Sequence, residues 1–224
     1  MRVKSVVNQP QTKVINNWTV RVRIPDLPGP HPVIVLLHGW TGDEKVMWIF
    51  ADRFPQEYLL LSPRGLFDTP LGGYAWHPVK SKSWPDIDEF STAIDALQQL
   101  LTPENFPTGI FSKISLAGFS QGAALAYAYA LRYPERVDQV MGLAGFLPDG
   151  VEELVETKPL AGKSVFVAHG TKDELVPIWR ARQAVELLTR AGALITYCED
   201  DVGHKLSVGC FKGLESFFRL NEAL

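Results

Sequence analysis

Five residues, Gly118-Phe119-Ser120-Gln121-Gly122, place a serine between two glycines where an apolar run gives way to small residues. Ile114-Ser115-Leu116-Ala117 before them reads as a buried strand, and Ala123-Ala124-Leu125-Ala126 after them as a helix. A sharp strand-to-helix turn of this kind lifts a serine hydroxyl above the end of a sheet, where it can attack an electrophile. The glycines have a physical reason. The serine backbone is strained at such a turn, and a flanking Cβ would crowd the strand or the first helical turn. The alternative is a tight turn carrying an ordinary surface serine.

A hydroxyl is a weak nucleophile and needs a base, which in turn needs an orienting acid. On sheets of this layout the three follow in the order Ser, Asp or Glu, His. Of the five histidines, His31, His38 and His77 precede Ser120, leaving His169 and His204. His204 lies in Asp201-Val202-Gly203-His204-Lys205, a loop after the last predicted strand, from which a base can lean across the sheet's C-terminal edge. His169 ends a predicted strand and reads as a turn residue. Asp173 follows that strand, where ligand-facing groups of α/β sheets collect. Glu174 would point elsewhere in a tight turn, and Asp200 and Asp201 are expected in solvent. The expected triad is therefore Ser120, Asp173 and His204, and its chemistry is acyl transfer. The tetrahedral intermediate's oxyanion needs preorganised N–H donors. The backbone N–H of Gln121, at the helix start, is one. The backbone N–H of Trp40, in His38-Gly39-Trp40-Thr41-Gly42-Asp43, is the other, with His38 a structural residue beneath. Trp40 also reads as a core aromatic whose amide still serves.

The elements that must position these residues alternate along the chain. Val20, Val22 and Ile24 alternate with polar residues, as in a half-exposed strand. With Val3–Val7 or Lys13–Ile15 it forms an antiparallel edge hairpin, with Asn16-Asn17 as candidate turn. Val33–Leu37 is a continuous apolar run, expected of a strand covered on both faces. Val46–Phe54 reads as a helix, Tyr58–Leu61 as a strand, and Asp86–Leu101 as the clearest amphipathic helix. Strands are expected at Val137–Leu143, Ser164–Ala168 and Leu194–Cys198, and helices at Ile178–Ala191 and Val208–Leu220. The alternation predicts one α/β domain over residues 1–224, with a mostly parallel central sheet and helices on its faces. Arg64 to Pro85 is long and rich in glycine and aromatics without periodicity, which marks a functional loop. Gly145 to Lys163 has room for little more than a short helix, so no large lid is expected.

Composition narrows the function further. The 224 residues carry a net charge of −3, which offers no basic field to nucleic acid or an anionic membrane. Lys80-Ser81-Lys82 is the nearest basic cluster and reads as a solvated loop. No segment approaches the roughly 20 apolar residues of a membrane span. The N-terminus lacks a signal-peptide apolar core, so a cytoplasmic location is expected. Cys198 and Cys210 have no metal-binding spacing and read most simply as reduced thiols, with a bridge as the alternative. No cofactor or metal is implied.

Leu37-His38-Gly39, Pro63-Arg64-Gly65, Gly118-Phe119-Ser120-Gln121-Gly122, His169-Gly170-Thr171-Lys172-Asp173 and Gly203-His204 occur here in one order. Over roughly Ile34 to Leu206 the chain resembles the phospholipase/carboxylesterase family, an α/β-hydrolase group of carboxylesterases, lysophospholipases and acyl-protein thioesterases. The resemblance implies the α/β-hydrolase fold, the same triad, and an oxyanion hole from Gln121 and the His-Gly loop. One departure is the length of that loop, since many members have His-Gly-x-Gly-Asp. The expected activity is hydrolysis of small carboxylic esters, with a thioesterase or lysophospholipase as alternative. Dienelactone hydrolases share the layout but carry cysteine at the elbow, and peptidases of this fold usually carry a gating domain. A non-catalytic binding protein typically lacks a triad member. The walls of an open substrate cleft are expected from Trp40, Phe67, Tyr74, Trp76, Phe146 and Trp179, favouring short-to-medium acyl chains.

Overall fold

The computed structural model describes residues 9–78 and 83–222. The candidate strand Val3–Val7 and the Lys80-Ser81-Lys82 cluster lie outside the described residues. In chain order the strands are β1 (Gln11–Ile15), β2 (Trp18–Arg23), β3 (His31–Leu37), β4 (Leu59–Pro63), β5 (Phe67–Asp68), β6 (Tyr74–Ala75), β7 (Gly109–Phe119), β8 (Val137–Leu143), β9 (Ser164–Gly170) and β10 (Leu194–Asp200). The α-helices are α1 (Ser91–Leu100), α2 (Gln121–Arg132), α3 (Glu152–Glu156), α4 (Ile178–Arg190) and α5 (Val208–Glu222). Eight strands form one sheet in the order β1-β2-β4-β3-β7-β8-β9-β10. β1 pairs with β2 and β2 with β4 antiparallel, and every pairing from β4 to β10 is parallel.

The antiparallel edge follows from its turn. Asn16 and Asn17 both take positive φ, 48° and 69°, the conformation a tight two-residue hairpin needs and asparagine tolerates. The central strands follow from their unbroken apolar runs. On β3, Val33, Val35 and Leu37 face one layer while Ile34 and Leu36 face the other. The first and larger layer holds α1, α2, α3 and α4 against the sheet. The second and smaller layer holds a 3-10 helix, Val46–Arg53, and the start of α5, packed through Met47, Phe50, Cys210, Leu214 and Phe217. Between β8 and β9 the only helix is the five-residue α3, so no large lid rises there.

Four expectations change in detail. Val46–Phe54 is 3-10 rather than α, ending before an extended Phe54. The helix expected from Asp86 begins as a 3-10 turn, Ile87–Phe90, under an Asp86 and Glu89 capping box, and becomes α only at Ser91. The 64–85 stretch contains the β5–β6 hairpin, whose two-residue strands are too short to leave a period in sequence. The reduced-thiol expectation is overturned: Cys198 and Cys210 form a disulfide, their Cα atoms 5.7 Å apart. The physical reason is that α5 folds back beside β10, a proximity that a separation of 12 residues does not reveal.

Candidate active site

Ser120 sits between the end of β7 and the start of α2 with φ 53° and ψ −118°. Its N–H is held by Leu143 O at 2.9 Å. The flanking glycines are required by close backbone approach. A Cβ on Gly118 would lie 2.2 Å from Gly122 O, and one on Gly122 would lie 2.1 Å from Leu37 O. The expected strand-turn-helix is therefore present, and its tightness explains both glycines.

Asp173 stands in the turn after β9, its side chain wholly buried. Oδ1 accepts the N–H groups of Leu175 and Val176, both at 2.9 Å. Oδ2 accepts from His204 Nδ1 at 2.7 Å, which leaves Nε2 as the proton acceptor of that ring. The loops bearing Asp173 and His204 are zipped together: Thr171 N–H donates to Asp200 O and Lys172 N–H to Val202 O. A Cβ on Gly170 would meet Val202 O at 2.2 Å, so the two loops touch through backbone. Glu174, Asp200 and Asp201 are exposed, as expected. The Ser120 hydroxyl makes no hydrogen bond among the described residues. Contacts of this kind often tighten only in the Michaelis complex.

His169 is more than a turn residue. Its Nε2–H donates to Val176 O at 2.7 Å and lies 3.3 Å from Asp173 Oδ2. Burial lowers its pKa, so it is a neutral brace behind Asp173.

The loop after β3 is held from below by His38, which is fully buried. Its Nδ1–H donates to Gly39 O at 2.7 Å and its Nε2 accepts from Gly65 N–H at 2.8 Å. Burial lowers its pKa as well. Gly42 N–H closes a turn onto Gly39 O, and Tyr74 N–H donates to Gly42 O, so β6 clamps the loop. Among the described residues neither the Trp40 nor the Gln121 amide is paired within the chain. The Gln121 side chain is buried and accepts from Trp76 N–H at 2.8 Å.

Ser120, Gln121, His204, Gly39 and Trp40 share one cleft of about 750 Å³. Of the expected walls, Trp40 and Phe146 line it, and Phe146 packs on Trp84, ring centroids 4.8 Å apart. The other four are placed elsewhere. Trp76 is wholly buried, its indole N–H donating to His38 O at 2.7 Å; it supports the loop that carries Trp40 instead of facing the cleft. Tyr74 is engaged by Arg64, whose guanidinium lies 4.6 Å above its ring. Phe67 lines a separate recess behind Trp40. Trp179 is 53% exposed and stacks on Arg180. Sequence reasoning missed Leu71 and Leu175 as cleft residues, two isolated exposed leucines that carry no periodic signal. Among the described residues no cluster of His, Cys, Asp and Glu could hold a metal ion, and no helix is long and apolar enough to cross a membrane.

Residues 20–221 match the family model described as Phospholipase/Carboxylesterase. Acyl-protein thioesterase 1 of Eremothecium gossypii is 27% identical over 84% of this chain and 86% of its own length. A putative 2-succinyl-6-hydroxy-2,4-cyclohexadiene-1-carboxylate synthase of Bacillus subtilis is also 27% identical, over 70% of this chain and 55% of its own. Among solved structures, the Bacillus cereus carboxylesterase superposes with a TM-score of 0.81 at 23% identity, covering 91% of this chain and 94% of that one.

Proposed function

This chain belongs to the phospholipase/carboxylesterase family, and from that membership we propose that it hydrolyses carboxylic esters of short-to-medium acyl chains through an acyl-enzyme on Ser120. The single observation that carries this proposal is the Asp173–His204 hydrogen bond in the same cleft as the Ser120 elbow. Asp173, fixed by two backbone amides, holds the His204 tautomer with Nε2 free. His204 takes the Ser120 proton as Oγ bonds to the ester carbon. The developing oxyanion is held by the Gln121 and Trp40 amides, which have no competing partner among the described residues. Collapse breaks the bond to the alkoxy oxygen, which receives the proton from His204. Water then attacks the acyl-enzyme by the same steps and releases the acid.

The acyl group extends along the cleft toward Trp84, Phe146 and Leu175. Each buried methylene contributes only about 0.8 kcal/mol, and an open cleft exhausts that gain within a few carbons. Thioesters are the second reading, favoured by the likeness to acyl-protein thioesterase. Nitrophenyl esters of graded acyl length, assayed beside matched acyl thioesters, test both. Efficiency should peak at short-to-medium chains, with no jump in rate at the substrate's solubility limit. A palmitoyl optimum with interfacial activation would exclude the open-cleft reading. Cytoplasmic residence stays part of the proposal.

A further inference from the structure

A second recess lies on the other side of the Trp40 ridge and has no part in the steps above. It encloses about 400 Å³ and is walled by Val46, Met47, Ile49 and Phe50 of the 3-10 helix and by Leu206 and Phe211 beyond the base. Gly39, Trp40, Thr41 and Phe119 line this recess and the main cleft alike, so the two adjoin at the loop that carries Trp40. Apart from the Trp40 indole, only Thr41 and Lys205 bring polar side chains to it. Val46 and Ile49 are 47% and 72% exposed at its mouth.

The two recesses belong to opposite layers of the sheet. Phe146 and Trp84, in the main cleft, pack with the larger layer, whereas Met47, Phe50, Phe119, Leu206 and Phe211 pack with the smaller one. An ester bound at Ser120 has two arms that diverge from the reacting carbon. The alkoxy oxygen must lie within reach of His204 Nε2, because that atom protonates it. The alcohol arm therefore leaves on the base's side. The recess is bounded by the two residues that follow His204 and by Phe119, whose ring meets the His204 ring edge-on with centroids 5.0 Å apart.

We propose that this recess is the leaving-group subsite and selects esters of apolar, medium-length aliphatic alcohols; the inference rests on the esterase reading above. As the carbon–alkoxy bond breaks, the proton that His204 took from Ser120 passes to the alkoxy oxygen. A neutral alcohol is left in the recess, and water completes the turnover after it departs. Only the first half-reaction involves the alcohol. Its length should therefore act on kcat/KM, while kcat converges on one value once hydrolysis of a common acyl-enzyme limits.

The test uses two ester series on the full chain: acetates of alcohols from methyl to hexyl, and methyl esters of acids from acetyl to octanoyl. In the wild type kcat/KM should climb along the alcohol series, by up to about fourfold for each methylene that is fully buried. Ile49→Glu and Val46→Glu change exposed positions that the folded core does not need. Each should lower the hexyl-to-methyl ratio by about tenfold while leaving the slope of the acyl series in place. Leu175→Glu, in the main cleft, should do the reverse. A flat alcohol series in the wild type, or charges at 46 and 49 that flatten the acyl series, would overturn the subsite alone. A wild type that hydrolyses no member of either series would overturn the esterase reading with it.

Discussion

At Ser120 the proposed chemistry and the backbone strain fall on the same residue, and two substitutions separate them. A non-glycine residue held at φ 53° and ψ −118° costs on the order of 1–3 kcal/mol. Ser120→Ala removes the proposed nucleophile and keeps the Cβ, so turnover should fall about a millionfold with little change in melting temperature. Ser120→Gly should be equally inactive yet melt higher than wild type, because glycine takes positive φ freely. Calorimetry on the pair decides, and a glycine variant that melts lower would remove strain from the account. Asp173 makes a sharper case. Its Oδ1 is pinned by two N–H donors, so the amide introduced by Asp173→Asn must turn its NH₂ toward His204 Nδ1 and impose the wrong tautomer. That variant should lose about ten-thousandfold in kcat, while exposed Glu174→Gln stays mild; equal losses would misplace the acid. These residues could be singled out as candidates because order along the chain and strand ends constrain them. Trp76 was not, because a loop aromatic reads the same from sequence whether its indole meets a substrate or the carbonyl of His38.

Among the elements, those defined by repetition were legible and those defined by tertiary contact were not. β8 covers the Val137–Leu143 stretch expected from its apolar character, and α4 starts where its amphipathic period starts. The β5–β6 hairpin has no repetition to read; it exists because Thr69 N–H reaches Gly73 O and Tyr74 N–H reaches Gly42 O. The Cys198–Cys210 bridge is the same kind of feature, joining β10 to the first turn of α5 around the loop that carries His204. Constraint of the unfolded chain by a loop of this length is worth about 3 kcal/mol. Replacing both cysteines with alanine should therefore lower the melting temperature by about 6 to 12 °C, read by circular dichroism. A shift under a degree would mean that the bridge adds nothing to the packing already there.

At the scale of the whole molecule, two buried neutral imidazoles set the acid limit of stability. Burial pushes His38 and His169 below their ordinary value, although Asp43 and Glu44 near the first and Asp173 near the second pull the other way. The unfolded chain then binds protons more readily than the folded one below about pH 6.5, so stability is level above about pH 7 and falls on acidification. The slope should be positive, and each histidine can contribute at most about 1.4 kcal/mol per pH unit. Urea midpoints from pH 8 to 5 measure it, and a flat profile would require one of these rings to be charged when folded. The sheet and both helix layers were readable from the alternation of apolar runs, but their unequal size was not, since it depends on which face each loop crosses. That inequality has a consequence for how the molecule fails. Ser120 rides on the central strand and the larger layer, whereas His204 is carried by a loop rooted in the smaller one. Cooperative units with fewer buried contacts open first. In rising urea the base should drift from the nucleophile while the sheet is still intact, so esterase activity should disappear before the far-ultraviolet signal changes, and return on dilution without a global refolding event.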